Sequence, residues 1–537
     1  MPHLSGAQAL IATLRSYGVD TIFGIPGVHT LPVYDVLHDE PGIRHVLARH
    51  EQGAGFMADG YARASGKPGV VCTITGPGVT NVATPVASAY ADSVPLLVIS
   101  TSLPRASLGR SRGELHEVKD QFGMMESLAG WARAVSQVEE IPDALRDAFR
   151  AMSSTRARGA YLQIPLDLLM VEADLELPEP APVVPPRPAR EQIAALARML
   201  SEAQRPLIVA GAGVSRAGAN EQLARLAELL GAPVLLGHKS HDVLPADHPL
   251  ALTVSSYSFP DEMRSLLAAS DMALVIGSKL GAGRSSGGRL FLPKTLAQID
   301  IDPAEIGRQY PASLGVVADA RLALDALLEA LQERPHRWAS RAAEVAALRE
   351  TLHANVRRIF GESLALLDGL REGLPRDGLV VADMTMLGYA SAEYLPVYEP
   401  RTYIHSSELC SIGCGLPMAI GAKAGAPERP VVTLCGDGGF LLNVGELATA
   451  AQEQLDVVAI IFNDATYTAV KRDQARRFGG RYIATDLQAP DYVALARAFN
   501  IRGVRAETPQ QLSETIHTAT TRPGSTLIDV PLPPRQW

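Results

Sequence analysis

The chain has 537 residues, of which 47% are hydrophobic and 20% charged, and a formal net charge of −9. This length exceeds what one hydrophobic core can hold and predicts about three domains, and the composition is that of an ordinary globular protein. The acidic balance argues against nucleic-acid binding, and the absence of a leader-like start or of a long uncharged apolar stretch argues against secretion and membrane insertion.

The cysteines indicate the compartment. Four occur, and none belongs to a CxxC or zinc-finger pattern. Cys72 and Cys435 lie in apolar, strand-like runs. A reducing environment is the simplest setting for such isolated cysteines, so we expect a cytoplasmic protein.

Short β-branched runs alternate with longer amphipathic stretches from one end of the chain to the other. The clearest runs are residues 69–78, 94–100, 205–213, 272–278, 429–439 and 456–464. Strands that alternate with helices form parallel sheets. The pattern therefore predicts an α/β protein of three doubly wound parallel-sheet domains.

Two segments separate these domains. The proline-rich stretch 175–190 cannot form a helix or a central strand, so it predicts a surface linker. A charged helical stretch, residues 331–360, leads from the middle part into the last one. We place the domains at residues 1–174, 190–335 and 360–537.

Two apolar runs of the last domain each end in oxygen-bearing side chains. The first run delivers Gly436, Asp437 and Gly438, and the second delivers Asn463 and Asp464. The stretch between them has helical spacing and predicts a right-handed crossover, which would bring both strand ends to the same edge of the sheet. Carboxylate, amide and carbonyl oxygens suit Mg²⁺, and the glycines would let a phosphate approach.

An isolated Gly-Asp-Gly is more often only a tight turn with a capping aspartate. The first domain supplies the second feature that changes this interpretation. Glu51 begins a predicted helix rich in small residues, and the strand that follows ends at Gly76-Pro77-Gly78.

Taken together, the segments around Glu51, Gly76 and Asp437 resemble those of the thiamine-diphosphate-dependent enzymes of the acetolactate synthase, benzoylformate decarboxylase and pyruvate decarboxylase superfamily. The resemblance covers nearly the whole chain. It implies a pyrimidine-binding domain, a middle domain and a diphosphate-binding domain, in that order. It also implies a homodimer or homotetramer, because the family's sites form between the first domain of one subunit and the last domain of another.

The resemblance assigns roles to the residues named so far. Glu51 corresponds to the glutamate that hydrogen-bonds the aminopyrimidine ring and promotes deprotonation of the thiazolium carbon. Asp437 and Asp464 would bind Mg²⁺ through their side chains, and Thr466 through its backbone carbonyl. The family usually has asparagine where this chain has Asp464, a departure that keeps an oxygen ligand. Gly76, Gly436, Gly438 and Asn463 would contact the cofactor.

The segment 405–425 resembles the one that lies between the two rings of the cofactor. Ile412 stands where the family places a large apolar residue that holds the cofactor bent, and the carbonyl of Cys410 stands where the ring's amino group is bound. The alternative for Ile412 is an ordinary core position beside a glycine-rich turn.

Two histidines are candidates for handling protons of the substrate. His29, after Val28, lies in a turn that faces the reacting carbon in relatives, and His116 aligns with a polar position of the family. Either could transfer a proton near neutral pH, or could be structural. His50, beside Glu51, is expected to support it.

The middle domain carries a glycine-rich segment, residues 211–218, after a predicted strand. Its spacing is not GxGxxG, and no ribose-binding acid follows at the required distance. The segment 277–290 lacks the Phe-Asp-Asp-Arg run of the acetolactate synthases that contain FAD. FAD is therefore not expected.

Residues after the metal motif divide the reactions of the superfamily. Val470 replaces a glutamate of pyruvate decarboxylases, and Asp473 replaces a tryptophan of acetolactate synthases. The segments around His29, Glu51 and His116 most resemble decarboxylases of 5-guanidino-2-oxopentanoate. The resemblance thus implies a non-oxidative 2-oxo acid decarboxylase, with that acid (2-ketoarginine) as the leading substrate.

Two other functions stay open. One is a carboligase of the acetolactate synthase or benzaldehyde lyase type. The other is a cofactor-binding but inactive subunit, which would require loss of Glu51 or of the metal motif, and both are present.

A guanidinium group entering an apolar pocket needs a carboxylate partner. Four acids lie in segments that the family places around the pocket: Glu114, Glu117, Glu408 and Asp473. Each could instead be a solvated charge or the partner of a nearby arginine.

Overall fold

The computed structural model describes residues 1–180, 183–254, 259–281, 290–333 and 338–533. Within these ranges, three six-stranded sheets follow one another along the chain, and neighbouring strands in each are parallel. The predicted α/β class with three parallel-sheet domains is confirmed. The predicted domain limits stay a prediction.

The N-terminal domain has the strands β1 (His3–Ser5), β2 (Thr21–Gly24), β3 (Arg44–Leu47), β4 (Gly69–Thr73), β5 (Leu96–Ser102), β6 (Trp131–Ala134), β7 (Gly159–Pro165) and β8 (Glu172–Asp174). Its helices are α1 (Gly6–Ser16), α2 (Leu31–His38), α3 (Glu51–Ser65), α4 (Pro77–Asp92), α5 (Gln121–Glu126) and α6 (Glu140–Ser153). The sheet order is β3-β2-β4-β5-β7-β6, and β1 pairs separately and antiparallel with β8.

The middle domain has the strands β9 (Pro206–Ala210), β10 (Val234–Leu236), β11 (Ala251–Thr253), β12 (Met272–Ile276), β13 (Thr295–Asp300) and β14 (Leu314–Val317). Its helices are α7 (Arg190–Glu202), α8 (Gly213–Arg216), α9 (Asn220–Leu230), α10 (Asp261–Ala268) and α11 (Ala320–Gln332). The sheet order is β11-β10-β9-β12-β13-β14.

The C-terminal domain has the strands β15 (Leu379–Ala382), β16 (Tyr403–His405), β17 (Val431–Gly436), β18 (Val458–Asn463), β19 (Arg502–Arg505) and β20 (Thr526–Pro531). Its helices are α12 (Ala342–Phe360), α13 (Ala365–Gly373), α14 (Met386–Tyr394), α15 (Gly415–Gly425), α16 (Asp437–Leu442), α17 (Glu446–Glu453), α18 (Thr468–Phe478), α19 (Tyr492–Ala498) and α20 (Pro509–Thr520). The sheet order is β16-β15-β17-β18-β20-β19.

The six predicted runs correspond to strands β4, β5, β9, β12, β17 and β18. The described residues of the proline-rich stretch before α7 contain no helix or strand, and the charged stretch after 331 contains the long helix α12, with residues 334–337 outside the described ranges. None of the helices in the described part of the chain has the length and apolarity that spanning a bilayer requires.

The predicted crossover between β17 and β18 differs from expectation. It consists of two helices, α16 and α17, rather than one. The break at residues 443–445 coincides with a side-chain interaction, because Asn443 Nδ2 donates to the carbonyl of Gly413, 2.8 Å away. The break turns this segment towards the N-terminal domain.

The N- and C-terminal domains join through helices α3 and α15. A side chain at Gly60 of α3 would clash with the carbonyl of Met418, and one at Gly421 of α15 would clash with the carbonyl of Met57. Small residues therefore let the two helix backbones touch. Buried side chains of both domains continue around this contact as one apolar cluster.

Candidate active site

Glu51 is the first residue of α3 and follows the carboxyl end of β3. Its Oε2 accepts a hydrogen bond from Asn81 Nδ2 at 2.9 Å, and a Cβ added at Gly78 would lie 3.5 Å from its Oε1. His50 caps the helix, since its Nδ1 accepts from the backbone N–H of Gln52 at 3.0 Å. This contact fits the prediction that His50 supports Glu51. Asn81 was not among the predicted site residues.

Gly76 lies at the end of the next strand and precedes α4. Its φ of +69° is one that glycine adopts without strain, and a side chain there would clash with the carbonyl of His116. Its N–H donates to Oε1 of the buried Gln121 at 2.8 Å. The structure thus brings the predicted residues Gly76 and His116 together, and adds Gln121.

His29 and His116 contact each other edge to face. Their ring centroids are 5.3 Å apart and the ring planes make an angle of 82°. His29 Nδ1 is buried and forms no hydrogen bond within the part of the chain that the structure describes. Burial, and next the charge of His116, lower the pKa of His29, so this imidazole is neutral at pH 7 and able to take up a proton.

Asp437 and the turn after β18 meet at one edge of the C-terminal sheet, as predicted. Gly436 pairs in register with Phe462, so the two strand ends lie side by side. The Asp437 carboxylate accepts from the N–H of Gly438 at 2.8 Å and interacts with the backbone amides of Ala465 and Thr466. Asp464 accepts a hydrogen bond from the hydroxyl of Thr468.

These residues fit a divalent cation. Asp437 Oδ2 is buried without a hydrogen-bond partner among the described residues, and burial, followed by the charge of Asp464, raises the pKa of Asp437 to about 6. A cation between the two carboxylates would offset both the burial of the Asp437 charge and its repulsion by Asp464. Among the described residues no three His, Cys, Asp or Glu side chains form a metal cluster, so a cation here would need further ligands, such as the Thr466 backbone oxygen and a phosphate.

The glycines beside Asp437 are required by packing. A side chain at Gly438 would clash with the ring of Tyr467, and one at Gly436 would come within 3.2 Å of Thr385 Oγ1. The third, Gly439, would place its Cβ 3.2 Å from Ile412 Cγ1. Ile412, whose side chain is partly exposed, therefore lies directly over the start of α16.

Cys410 adopts a φ of +53°, uncommon for a residue other than glycine, and its Sγ donates to the carbonyl of Ser407 at 3.1 Å. Such backbone strain is frequent where a functional group has to be held in place. The segment from Cys410 to Ile412 thus combines a strained turn with an apolar side chain beside the start of α16, and the predicted contact of Ile412 with the cofactor stays a prediction.

Asp383 organises this segment and had not been predicted. Its buried carboxylate accepts from the N–H groups of Met384 at 2.6 Å, Gly413 at 3.1 Å and Gly415 at 3.2 Å. Burial nevertheless raises its pKa. The sequence contained a signal, since Asp383 follows the strand-like run Val380–Ala382 as Asp437 follows its own strand.

Asn463 and Thr466 have further partners. Asn463 Nδ2 donates to Asp529 Oδ1 on strand β20 at 3.2 Å. The Thr466 carbonyl accepts from the N–H of Thr468 at 2.9 Å, and the Thr468 hydroxyl, whose other acceptor is Asp464, lies 3.3 Å from the same oxygen. The predicted contact of Asn463 with the cofactor stays a prediction.

The structure separates the four candidate acids. Glu408 pairs with Lys239 at 2.8 Å and Lys279 at 3.2 Å, and these charges lower its pKa although burial opposes them. Asp473 Oδ1 lies 3.8 Å from Arg472 Nε.

The other two acids lie in the loop of His116. Glu117 accepts the N–H groups of Gly113 and Glu114 and so holds this loop. Glu114 is half-buried two residues before His116, and its predicted contact with a substrate stays a prediction.

A cavity of about 860 Å³ lies between the three domains, and Glu51 and Asp437 do not line it. Charged side chains line it, including Arg63, Arg216, Lys239 and Glu408. Cys410 reaches it from the C-terminal domain. Residues 282–289, in the segment compared for FAD, lie outside the described residues, and the absence of FAD stays a prediction.

Three family models match the chain. The N-terminal TPP binding domain of thiamine pyrophosphate enzymes matches residues 4–124, their central domain matches 193–327, and their C-terminal TPP binding domain matches 383–530. Glu51 and Gly76 fall in the first match, and Asp437 and Asp464 in the last.

Curated relatives match over nearly their full length. The chain is 41% identical over 515 residues to the probable 2-ketoarginine decarboxylase AruI of Pseudomonas aeruginosa, covering 95% of this chain and 90% of that protein. It is 32% identical to the probable acetolactate synthase large subunit of Methanocaldococcus jannaschii, covering 99% and 93%. It is also 32% identical to the acetolactate synthase isozyme 3 large subunit of Escherichia coli, covering 97% and 92%. The chain therefore belongs to the thiamine pyrophosphate enzymes, the thiamine-diphosphate-dependent family.

Proposed function

We propose that this enzyme is a Mg²⁺-dependent, non-oxidative 2-oxo acid decarboxylase, with 5-guanidino-2-oxopentanoate as its leading substrate. The proposed Mg²⁺ dependence is supported by one observation: Asp437 Oδ2 is buried beside Asp464 and has no hydrogen-bond partner among the described residues. The 41% identity to a probable 2-ketoarginine decarboxylase supports the substrate.

Thiamine diphosphate, when bound, supplies a carbon nucleophile for the 2-oxo group and a cationic ring that takes up the electron pair left when carbon dioxide departs. The chain's own residues position it and move protons. Asp437, Asp464 and the Thr466 carbonyl would hold the metal and through it the diphosphate. Ile412 would fix the bend, and Glu51, held by Asn81, would exchange a proton with the pyrimidine ring.

His29 and His116 would serve the substrate. The neutral His29 can accept a proton, and His116 lies in contact with it, so a proton can pass between them. Delivery of that proton to the reacting carbon would release an aldehyde. Glu114, two residues before His116, would face the guanidinium of the substrate.

We further propose that each site is assembled from two chains. Apolar side chains are exposed in the segments that carry the site residues: Val28, Leu31 and Leu115 in the segments of His29 and His116, and Ile412, Leu441, Leu442 and Val470 in the segments around Asp437 and Asp464. A second copy of the chain would cover both faces and place one copy's Glu51 opposite the other's Asp437.

A carboligase is the second candidate, because the acetolactate synthase relatives match equally long stretches. One experiment separates the two. Purified protein with thiamine diphosphate and Mg²⁺ is given a panel of 2-oxo acids, and carbon dioxide, aldehyde and acetolactate are measured. We expect aldehyde from the guanidino acid, whereas acetolactate from pyruvate alone would establish the carboligase.

A further inference from the structure

A carboxylate of the C-terminal domain holds the backbone just before Glu51. Glu446, the first residue of α17, is 1% exposed and crosses to the N-terminal domain. Its two oxygens accept from the N–H of Arg49 at 3.2 and 3.1 Å, and Oε1 also accepts from the N–H of His50 at 3.0 Å. Thr449 donates its hydroxyl to Oε2 at 2.7 Å.

The contact is tight enough to constrain the helix itself. A side chain at Gly53, in the first turn of α3, would clash with Glu446 Oε1. The carboxylate therefore lies against the start of the helix, where backbone N–H groups lack partners within the helix and negative charge is favoured.

Asn443 forms a second connection beside the first. Its Nδ2 donates to the carbonyl of Gly413 at 2.8 Å and to Oε1 of Gln52 at 3.4 Å. Gly413 follows Ile412, and Gln52 follows Glu51. One side chain thus connects the segment that would hold the cofactor to the segment that carries the acid.

From these contacts we infer that Glu446 and Asn443 are positioning residues for Glu51, which set its backbone from the C-terminal domain. The inference rests on the proposed function for the role of Glu51. A proton-transfer group displaced by even a fraction of an ångström loses much of its effect. Weakening the contacts of Glu446 and Asn443 with residues 49–52, here called the clamp, should therefore lower catalysis without removing any group that touches the cofactor.

Glu446→Gln tests the clamp with little change of volume. Glutamine keeps one acceptor oxygen but sets an NH₂ against donors, so at least one of the three donors loses its partner. Glu453→Gln is the matched control. Glu453 ends the same helix and also crosses to the N-terminal domain, where it accepts from the N–H of Leu47 at 3.3 Å and pairs with Arg44 at 3.5 Å.

The first measurement needs no cofactor. Amide hydrogen exchange of residues 49–54, followed by mass spectrometry on protein without thiamine diphosphate, should be faster in Glu446→Gln than in the wild type and in Glu453→Gln. Wild-type exchange in Glu446→Gln would overturn the inference.

The second measurement follows the exchange of the thiazolium C2 hydrogen of bound thiamine diphosphate for deuterium by NMR. We expect Glu446→Gln to slow it about tenfold or more, with cofactor affinity near that of the wild type. An unchanged C2 rate together with faster amide exchange would make the contact merely structural and would also overturn the inference.

Asn443→Ala keeps the inference testable if Glu446→Gln does not fold. It should slow C2 exchange as well, and a wild-type rate would overturn the inference. Glu51→Gln separates a failure of the proposed role of Glu51 from a failure of the inference about Glu446. If Glu51→Gln leaves C2 exchange unchanged, the proposed role of Glu51 fails, whereas the amide exchange result on the clamp stands separately.

Discussion

Gly421 on α15 lies against the backbone carbonyl of Met57 on α3, so close that a Cβ on Gly421 would clash with the carbonyl oxygen. We expect Gly421→Ala to destabilise the protein by about 1 to 3 kcal/mol or more, because the two helix backbones must separate to admit a methyl group. Thermal unfolding measures the effect.

Gly237→Ala is the control for this substitution. Gly237 has a φ of −97°, and the nearest atom to an added Cβ is 3.9 Å away. The melting temperature of the Gly237→Ala variant should stay close to that of the wild type. Equal losses in both variants would mean that the close contact of α3 and α15 does not limit stability.

Glu51→Gln should bind thiamine diphosphate but lose about 100-fold or more in kcat, the scale of a missing acid–base group. The substitution keeps an oxygen that can accept from Asn81. Steady-state kinetics and cofactor titration measure the two effects. Near-normal turnover would remove the assignment of Glu51.

Asp437→Ala and Asp464→Asn should differ in cofactor binding. The first removes a carboxylate with an orphaned, buried oxygen and should weaken Mg²⁺-dependent binding by more than about 100-fold. The second keeps an oxygen ligand and removes the charge that raises the pKa of Asp437, so binding should persist. Calorimetric titration with both ligands compares them, and equal mild losses would place the metal elsewhere.

We expect the protonation of His29 to set the acid side of the pH dependence of both kcat/KM and stability. Its pKa lies below 6.5, so acid protonates the unfolded chain more readily than the folded one, and both stability and the function of neutral His29 are lost as the pH falls through that pKa. His116→Asn removes the charge contribution and should raise the pKa of His29. The acid limb of kcat/KM should then move to higher pH, and an unmoved limb would exclude His29 as its origin.

Glu114→Gln should lower kcat/KM for 5-guanidino-2-oxopentanoate by about 1 to 3 kcal/mol and change an uncharged 2-oxo acid of similar length much less. Glu117→Gln is the comparison, since Glu117 holds the loop through two backbone N–H groups and should affect both substrates alike. A wild-type preference for an uncharged or aromatic 2-oxo acid would contradict the guanidino assignment altogether.

The hydrophobic periodicity was sufficient to predict the parallel sheets. The rule that neighbouring parallel strands end at the same edge was sufficient to predict that Asp437 and Asp464 lie together. Runs such as that ending at Gly436 contain consecutive β-branched residues, and two parallel neighbours have to deliver their ends together, which is why Asp437 and Asp464 meet. The resemblance added Glu51 and Ile412, which strand geometry alone would have left as a capping residue and a core residue.

The residues that were missed act through tertiary contacts. Asp383, Gln121 and Glu446 are buried polar residues, and each has a partner far along the chain: Gly413 is 30 positions from Asp383, Gly76 is 45 from Gln121, and Arg49 is 397 from Glu446. No local pattern encodes such distances. The break between α16 and α17 falls at Asn443, whose side chain donates to the carbonyl of Gly413, 30 positions away.

The separation of the Glu51 and Asp437 clusters onto two domains has a genetic consequence if two chains share each site. A Glu51→Gln chain and an Asp437→Ala chain would each be inactive alone. In a mixed dimer, one site would receive both defects and the other site neither. Co-expression of the two inactive chains should therefore restore activity, so two recessive alleles of one gene would complement each other.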